Sequence, residues 1–315
     1  MEVLNIRAAF SKRLIEIARS DKAIVVIDPD VCDPMAMRPF LEAYPNRFYQ
    51  MGIAEQNAFG VAAGLASTGV KSYVAAFAVF TSMRGCEMIR TTICYPHHNV
   101  KILGGYSGLS NGKDGATHHS IEDIAICRSF PNMTVIACTD SVYAAWAAEI
   151  STKFVGPMYI RMEFEELPPI YDKGTAFELG KANIIRKGSD ITLVSFGTAA
   201  YRTMEAASEL SGMGVQAEVI DMHTIKPFDK TTLVESVKKT RALVTLEEHN
   251  IFGGLSELCC EALVEAGVSA SYRRLGIKDV YTESGNTNEL RARYGIDAKA
   301  VVSETLKALK SKGET

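Results

Sequence analysis

Glu55 stands where an apolar helix should begin. Met51-Gly-Ile-Ala-Glu55-Gln56 leads into Ala58-Phe-Gly-Val-Ala-Ala-Gly-Leu-Ala66, and Arg47-Phe-Tyr-Gln50 ahead of it reads as a short strand. A helix of such small residues packs closely. Glu55 is therefore expected to be largely buried, which raises the pKa of a carboxyl group. A carboxyl that keeps or shares its proton can hydrogen-bond the ring nitrogen of an aminopyrimidine and select its tautomer. The helix macrodipole also favours a Glu in a first turn, so the hexapeptide alone leaves both readings standing.

An aromatic ring bound at Glu55 needs a face to stack on. Lys71-Ser-Tyr-Val-Ala-Ala-Phe77 reads as a strand, and Ala78-Val-Phe80 opens a helix-like run to Thr92. Phe77 and Phe80 are spaced to flank such a ring, although two Phe residues at i and i+3 are equally ordinary in a core. Farther on, Gly104-Gly-Tyr-Ser-Gly-Leu-Ser-Asn-Gly-Lys-Asp114-Gly-Ala-Thr-His118-His119-Ser-Ile-Glu122-Asp123 is glycine-rich and polar. It lies between a strand, Val100 to Leu103, and a helix expected from about Ser120. Loops of this kind line sites, and in an open α/β sheet those at strand C-termini face the ligand crevice.

Gly52-Ile-Ala-Glu55, the strand ending in Phe77-x-x-Phe80, Asp114-Gly-x-Thr-His118 and Phe130-Pro-Asn-Met133 follow one another in an order that resembles the pyrimidine-binding domain of the transketolase family. Ile220-Asp-Met-His-Thr-Ile-Lys-Pro-Phe228 and Thr245-Leu-Glu-Glu-His-Asn-Ile-Phe-Gly-Gly254 look like that family's C-terminal domain, so the resemblance covers nearly the whole chain. It implies thiamine diphosphate as cofactor, with Glu55 as the partner of the pyrimidine N1′ atom. Phe80 is then the stacking residue and Phe77 pocket wall. Met83 falls where full-length transketolases often have a Tyr; a thioether fills that space without donating a hydrogen bond. Asp30 matches an Asp near the subunit-shared cofactor pocket.

For the substrate, the resemblance assigns Asp114 and His118 to the donor's hydroxyls. A neutral imidazole at His118 could donate to a hydroxyl or shuttle its proton. Arg161, at a strand end, matches the sugar-phosphate ligand, a role that suits a guanidinium fork; pairing with Glu163 or Glu165 is the structural alternative. Arg7 is a second phosphate contact on the same basis. Tyr106 occupies the place of a substrate-contacting His in many full-length enzymes. His119 is expected to cap the following helix, His97 and His98 to lie on the surface, and His223 and His249 to be structural. Gly253-Gly254 suits either anion binding at a helix N-terminus or close packing.

The family binds diphosphate and Mg²⁺ through a Gly-Asp-Gly followed by an Asn, and this chain contains no Gly-Asp-Gly. The chain starts where the diphosphate domain would end and so looks like the second, C-terminal half of a split transketolase. The resemblance thus implies a partner subunit carrying the diphosphate domain and the Mg²⁺ ligands, with none on this chain, and an α₂β₂ assembly paired through small-residue helices such as Ala58 to Ala66. The implied reaction moves a two-carbon ketol unit from a ketose phosphate to an aldose phosphate. Other readings keep the fold: a 1-deoxyxylulose-5-phosphate synthase-like or 2-oxoacid dehydrogenase β-like activity, or a split transketolase for an unusual sugar phosphate such as apulose 4-phosphate. A non-catalytic interaction subunit is the reading from a different class.

The elements that must hold these residues form two α/β units. Strand-like runs at Ala23 to Asp28, Lys71 to Phe77, Val100 to Leu103, Met133 to Cys138 and Pro157 to Arg161 alternate with helical segments, which predicts a parallel sheet covered on both faces. Glu163 to Lys173, with Pro168-Pro169, reads as a connection. A second, smaller unit runs through Ile191 to Phe196, Ala217 to Ile220, Ala242 to Leu246 and Tyr272 to Leu275, and closes on a helix from Ala298 to Lys312. The expected division is a pyrimidine-binding domain at 1–165, a linker at 166–187 and a C-terminal domain at 188–315. At 315 residues and 47% hydrophobic, the chain is long enough for two cores. A net charge of −3 gives no footprint for nucleic acid or an anionic membrane. Neither a signal peptide nor a spanning stretch is evident. Seven Cys, mostly in apolar segments (Cys94, Cys127, Cys138, Cys259, Cys260), suggest reduced core thiols and a cytoplasmic location, and their spacing argues against zinc.

Overall fold

A computed structural model describes residues 5–312. The first four and last three residues, which the expected division assigns to the terminal domains, lie outside the described residues. The strands are β1 (Ile24–Asp28), β2 (Phe48–Gln50), β3 (Lys71–Phe77), β4 (Val100–Gly105), β5 (Thr134–Ala137), β6 (Met158–Arg161), β7 (Asn183–Arg186), β8 (Ile191–Ser195), β9 (Ala217–Asp221), β10 (Thr224–Lys226), β11 (Ala242–Asn250) and β12 (Ser271–Ile277). They form a seven-stranded sheet in the order β10-β5-β6-β4-β3-β1-β2 and a five-stranded sheet in the order β12-β11-β8-β9-β7.

Period-two alternation explains how the first sheet is covered. Along β1, Ile24 and Val26 pack with Phe10 and Leu14 of the helix Ile6–Ala18 and with Tyr143 and Ala147 of the helix Ser141–Lys153. Val25 and Ile27 pack on the opposite face with Ala58, Phe59 and Ala62 of the helix Glu55–Ser67. Both faces of the central strands are buried and mainly apolar, with polar exceptions that include Ser72, Lys101 and Arg161, as a sheet with helices on either side requires.

The purely parallel expectation needs correction at the edges. β10 pairs antiparallel to β5 and β7 antiparallel to β9. β10 follows β9 of the second unit but completes the sheet of the first, so the two sheets are stitched by one short excursion of the chain. The connecting span 166–187 contains β7. One apolar cluster also runs from Ile27 and Ile102 of the first sheet to Val194, Ile220 and Leu243 of the second.

The helical run after β3 is not continuous. A helix covers Ala78–Met83, a short turn covers Cys86–Met88, and a wider π turn follows at Ile89–Cys94. The break falls at Gly85, where a Cβ would lie 2.6 Å from the Thr81 carbonyl oxygen and would strike the Phe59 ring. The final helix, Ala298–Lys312, is where the sequence places it. All seven cysteines are free; Cys260, expected in the core, is exposed. Among the described residues, no helix is long and apolar enough to cross a membrane.

Candidate active site

β4, β3 and β1 are neighbours in the first sheet, and the segments that leave their C-terminal ends carry the candidate residues His118, Phe80 and Asp30. Between β2 and Glu55 the chain turns through Gly52 with φ of +68°. Gln50 holds that turn: its Nε2 donates to Asp28 Oδ2 at 2.8 Å, and its Oε1 accepts from the Gly52 amide at 2.7 Å. Burial pushes the Asp28 carboxyl up from the usual range. Asp30, at φ of +70°, is exposed and accepts from the same Gln50 Nε2 at 3.3 Å. Asp28 and Gln50 thus set the entry angle of the helix that starts at Glu55, a role the sequence reading did not assign to them.

Glu55 is the first residue of its helix and only 6% exposed. Its Oε1 accepts from Arg84 Nη1 at 2.8 Å. Arg84 has a half-exposed side chain, and its guanidinium lies over the Phe80 ring, 4.1 Å from the centroid. A single planar cation therefore bridges the carboxylate and the ring. The sequence carries a signal for this contact, since Phe80 and Arg84 are four residues apart and share a helix face.

The aromatic wall continues from there. Phe77 and Phe80 have ring centroids 6.0 Å apart, less than the roughly 7 Å a third ring stacked between them would need at van der Waals contact. The two rings therefore form one wall, where the sequence reading had them flanking a ligand. The His118 ring meets Phe80 edge-on at 5.3 Å and Phe77 at 6.2 Å. Its Nδ1 lies 3.0 Å from Thr117 Oγ1. Tyr106 contacts Phe77 at 4.7 Å and stacks on Phe164 at 4.9 Å. Tyr106 has φ of +55°, a conformation uncommon for a bulky residue and one that marks ligand sites. Asp114 is exposed on the loop, where Asn111 Nδ2 donates to its Oδ2 at 2.7 Å. Met83, 46% exposed, ends the helix that carries Phe80.

The two expected phosphate ligands sit elsewhere. Arg161 is 1% exposed, and its donors are used internally: Nε to Asp123 Oδ2 at 3.0 Å, Nη1 to Glu163 Oε1 at 2.5 Å, and Nη2 to the Glu248 carbonyl at 2.8 Å. Pairing with Glu163, the structural alternative, is what the structure shows. Burial alone would raise the Glu248 carboxyl, but Arg291 and Arg202 outweigh it and hold that group at about 2. Burial pushes Glu163 up. Arg7 is likewise buried, its guanidinium lying over both the Tyr106 and Phe164 rings at 4.3 and 4.4 Å. Its Nη1 donates to the Pro34 carbonyl, and its Nε is buried with no hydrogen-bond partner among the described residues.

Two smaller expectations also change. The helix after the loop starts at Asp123, and His119 does not cap it; its ring is buried and bonds to Thr282 and Asn111. The helix N-terminus after Gly254 is already capped, because the Leu255 and Ser256 amides donate to the Glu247 carboxyl at 2.7 and 3.0 Å.

Residues 2–169 match the family model described as "Transketolase, pyrimidine binding domain", and residues 180–301 match "Transketolase, C-terminal domain". The chain belongs to the transketolase family. It is 36% identical over 305 residues to one of the subunits of an apulose-4-phosphate transketolase from Phocaeicola vulgatus, covering 96% of this chain and 97% of that one. It is also 36% identical to a 6-deoxy-6-sulfo-D-fructose transketolase subunit from a Clostridium species, covering 94% and 92% respectively. A solved structure described as a split-gene transketolase, an inactive beta4 tetramer, superposes with a TM-score of 0.91 at 38% identity, covering 98% of this chain and 99% of that one. This transketolase chain thus corresponds to the pyrimidine-binding and C-terminal domains, the C-terminal portion of a split enzyme. It fits a subunit of a heteromeric transketolase, a family that uses thiamine diphosphate.

Proposed function

We propose that this chain supplies the pyrimidine half of a ketol-transfer site and is active only with a partner that carries the diphosphate-binding domain. The observation that carries the reading is the Arg84 guanidinium, a planar N–H donor seated on Glu55 and stacked on Phe80. It makes the two contacts an aminopyrimidine would need, so the residues fit that part of thiamine diphosphate. When bound, the cofactor supplies the nucleophilic carbon that cleaves a ketose phosphate and passes a two-carbon unit to an aldose phosphate.

The chain's own residues then act around it. Glu55 holds or exchanges a proton at the pyrimidine N1′ atom. Phe80 gives the ring its stacking face, Phe77 and Met83 bound the pocket, and Asp30 borders it. Asp114 and His118 hydrogen-bond the donor's hydroxyls and orient them. Mg²⁺ and the diphosphate belong to the partner, which the lack of a Gly-Asp-Gly supports. A neighbour described as inactive as a beta4 tetramer supports the need for a partner; α₂β₂ is the assembly proposed here. Seven unpaired thiols favour a reducing, cytoplasmic setting.

A second reading keeps the reaction and changes the sugar. In it the enzyme takes an unusual sugar phosphate, as the name of the Phocaeicola relative suggests. The test is Glu55→Gln in the assembled enzyme, which preserves shape and removes the acid. Turnover equal to wild type would exclude Glu55 from the chemistry.

A further inference from the structure

The loop that carries Asp114 and His118 is seated along its whole length on the second unit. At its start, the Leu109 amide donates to Glu248 Oε2 at 3.1 Å, and the Leu109 side chain is buried in the apolar cluster of Leu246, Leu275 and Leu290. Gly108 has no room for a side chain there, because a Cβ would come within 2.6 Å of Glu248 Oε2. At its middle, the Gly285 amide donates to the Gly112 carbonyl at 2.9 Å. At its end, Ile121 joins the same apolar cluster and its carbonyl accepts from the Asn250 amide at 2.7 Å.

Between these points lies a polar clasp. His119 is 2% exposed and Thr282 5% exposed. His119 Nε2 lies 3.1 Å from the Asn111 carbonyl, which can only accept, so Nε2 carries the proton. Burial disfavours a second proton on this ring. Its Nδ1 is then an acceptor, and the Thr282 hydroxyl, 2.6 Å away, must donate to it. Asn111, fixed through its carbonyl, uses its side chain to hold Asp114 at 2.7 Å. His118, the preceding residue, faces the opposite way onto Phe80. The chain of contacts runs from Thr282 through His119 and Asn111 to Asp114, with His118 set on the crevice side.

We propose that Thr282, far from the crevice in sequence and in the other unit, is a positioning residue for the donor-binding loop. It acts by holding the orientation of His119, whose tautomer the Asn111 carbonyl sets. This rests on the proposed function, in which Asp114 and His118 bind the donor. Removing the hydroxyl while keeping the volume leaves His119 Nδ1 buried without a donor, a cost that lets the ring and the loop move.

The test compares Thr282→Val and Thr282→Ser with wild type in two measurements. In the enzyme assembled with its diphosphate-domain partner, Thr282→Val should raise the donor KM about tenfold, leave thiamine diphosphate affinity unchanged, and be rescued by Thr282→Ser. In the full chain alone, Thr282→Val should speed amide hydrogen exchange across residues 111–119 while leaving β3 and β4 as in wild type. Unchanged loop exchange would overturn the proposal, as would faster exchange with an unchanged donor KM or a Ser variant that behaves like Val. Absence of ketol transfer by the assembled wild type would instead defeat the proposed function, and the exchange result would still decide whether Thr282 holds the loop.

Discussion

Two Arg–carboxylate sites lie near the strand ends, and they behave oppositely. Glu55 has Arg84 as its hydrogen-bond partner among the described residues, and Arg84 has half its side chain in solvent. Such a pair, open to solvent on its Arg84 side, can exchange that partner for a ligand at less cost than a fully closed network. Arg161 is closed in by Asp123, Glu163 and the Glu248 carbonyl, and almost no solvent reaches it. Breaking that network leaves buried charge without compensation. A guanidinium at a strand's C-terminal end is therefore not a ligand by position alone. Spare bonding capacity separates a binding group from a structural one.

The largest effect should come from the open site. Glu55→Ala is expected to lower ketol transfer by about 10²- to 10⁴-fold, the usual range for a lost general acid–base group, with the unfolding midpoint little changed. Steady-state rates and thermal melts of the assembled enzyme measure both. At the closed site the effect should move to stability. Arg161→Met should destabilise the chain by about 3–5 kcal/mol in urea unfolding, because Asp123 and Glu163 lose their counterion. A stable Arg161→Met chain with a raised KM for phosphorylated sugars would return Arg161 to the crevice and collapse the distinction.

Arg84→Ala sharpens it from the other side. Unfolding should stay near wild type, and thiamine diphosphate should bind a few-fold more tightly because no side chain must leave Glu55 first. Weaker binding in calorimetry would make Arg84 a cofactor ligand instead.

A pH-dependent effect should come from a buried carboxyl that has hydroxyl partners and no cation beside it among the described residues. Asp221 accepts from Thr139 at 2.5 Å and Tyr171 at 2.6 Å, and burial pushes it up to about 7 from 3.8. Between those values the folded state holds more protons than the unfolded one. Its contribution to stability is therefore full below about pH 4 and is lost as pH rises through about 7. Relative to Asp221→Asn, wild type should lose stability from about pH 4 to about pH 8, read as urea midpoints. A difference that does not vary with pH would show that the carboxyl titrates normally.

Much of this was legible in the sequence, for reasons particular residues make plain. Ile24 to Ile27 is a β-branched run, and Lys71 to Phe77 carries Tyr73, Val74 and Phe77 in a short, largely apolar stretch, so β1 and β3 could be read directly. Glu55, Phe80 and His118 each follow a strand of one sheet, and Phe80 links the other two, touching His118 directly and Glu55 through Arg84. β10 escaped notice because three residues around Thr224 carry no periodic signal, and their pairing with β5 is purely tertiary. The Arg161 network was hidden for a similar reason. Asp123 and Glu248 lie far from Arg161 in sequence; the fold of the first unit brings Asp123 to it, and the packing of the two units brings Glu248. Thr282 is the extreme case, a hydroxyl in a turn-like stretch whose partner is 163 residues away.

The central claim is that this chain holds half of a ketol-transfer site. Ketol transfer from xylulose 5-phosphate to ribose 5-phosphate, with thiamine diphosphate and Mg²⁺, should be measured for this chain with and without its diphosphate-domain partner. Activity in the mixture alone is the result predicted here. Activity of this chain by itself, or none in a mixture shown to be assembled and cofactor-loaded with these or with branched sugar phosphates, would contradict it.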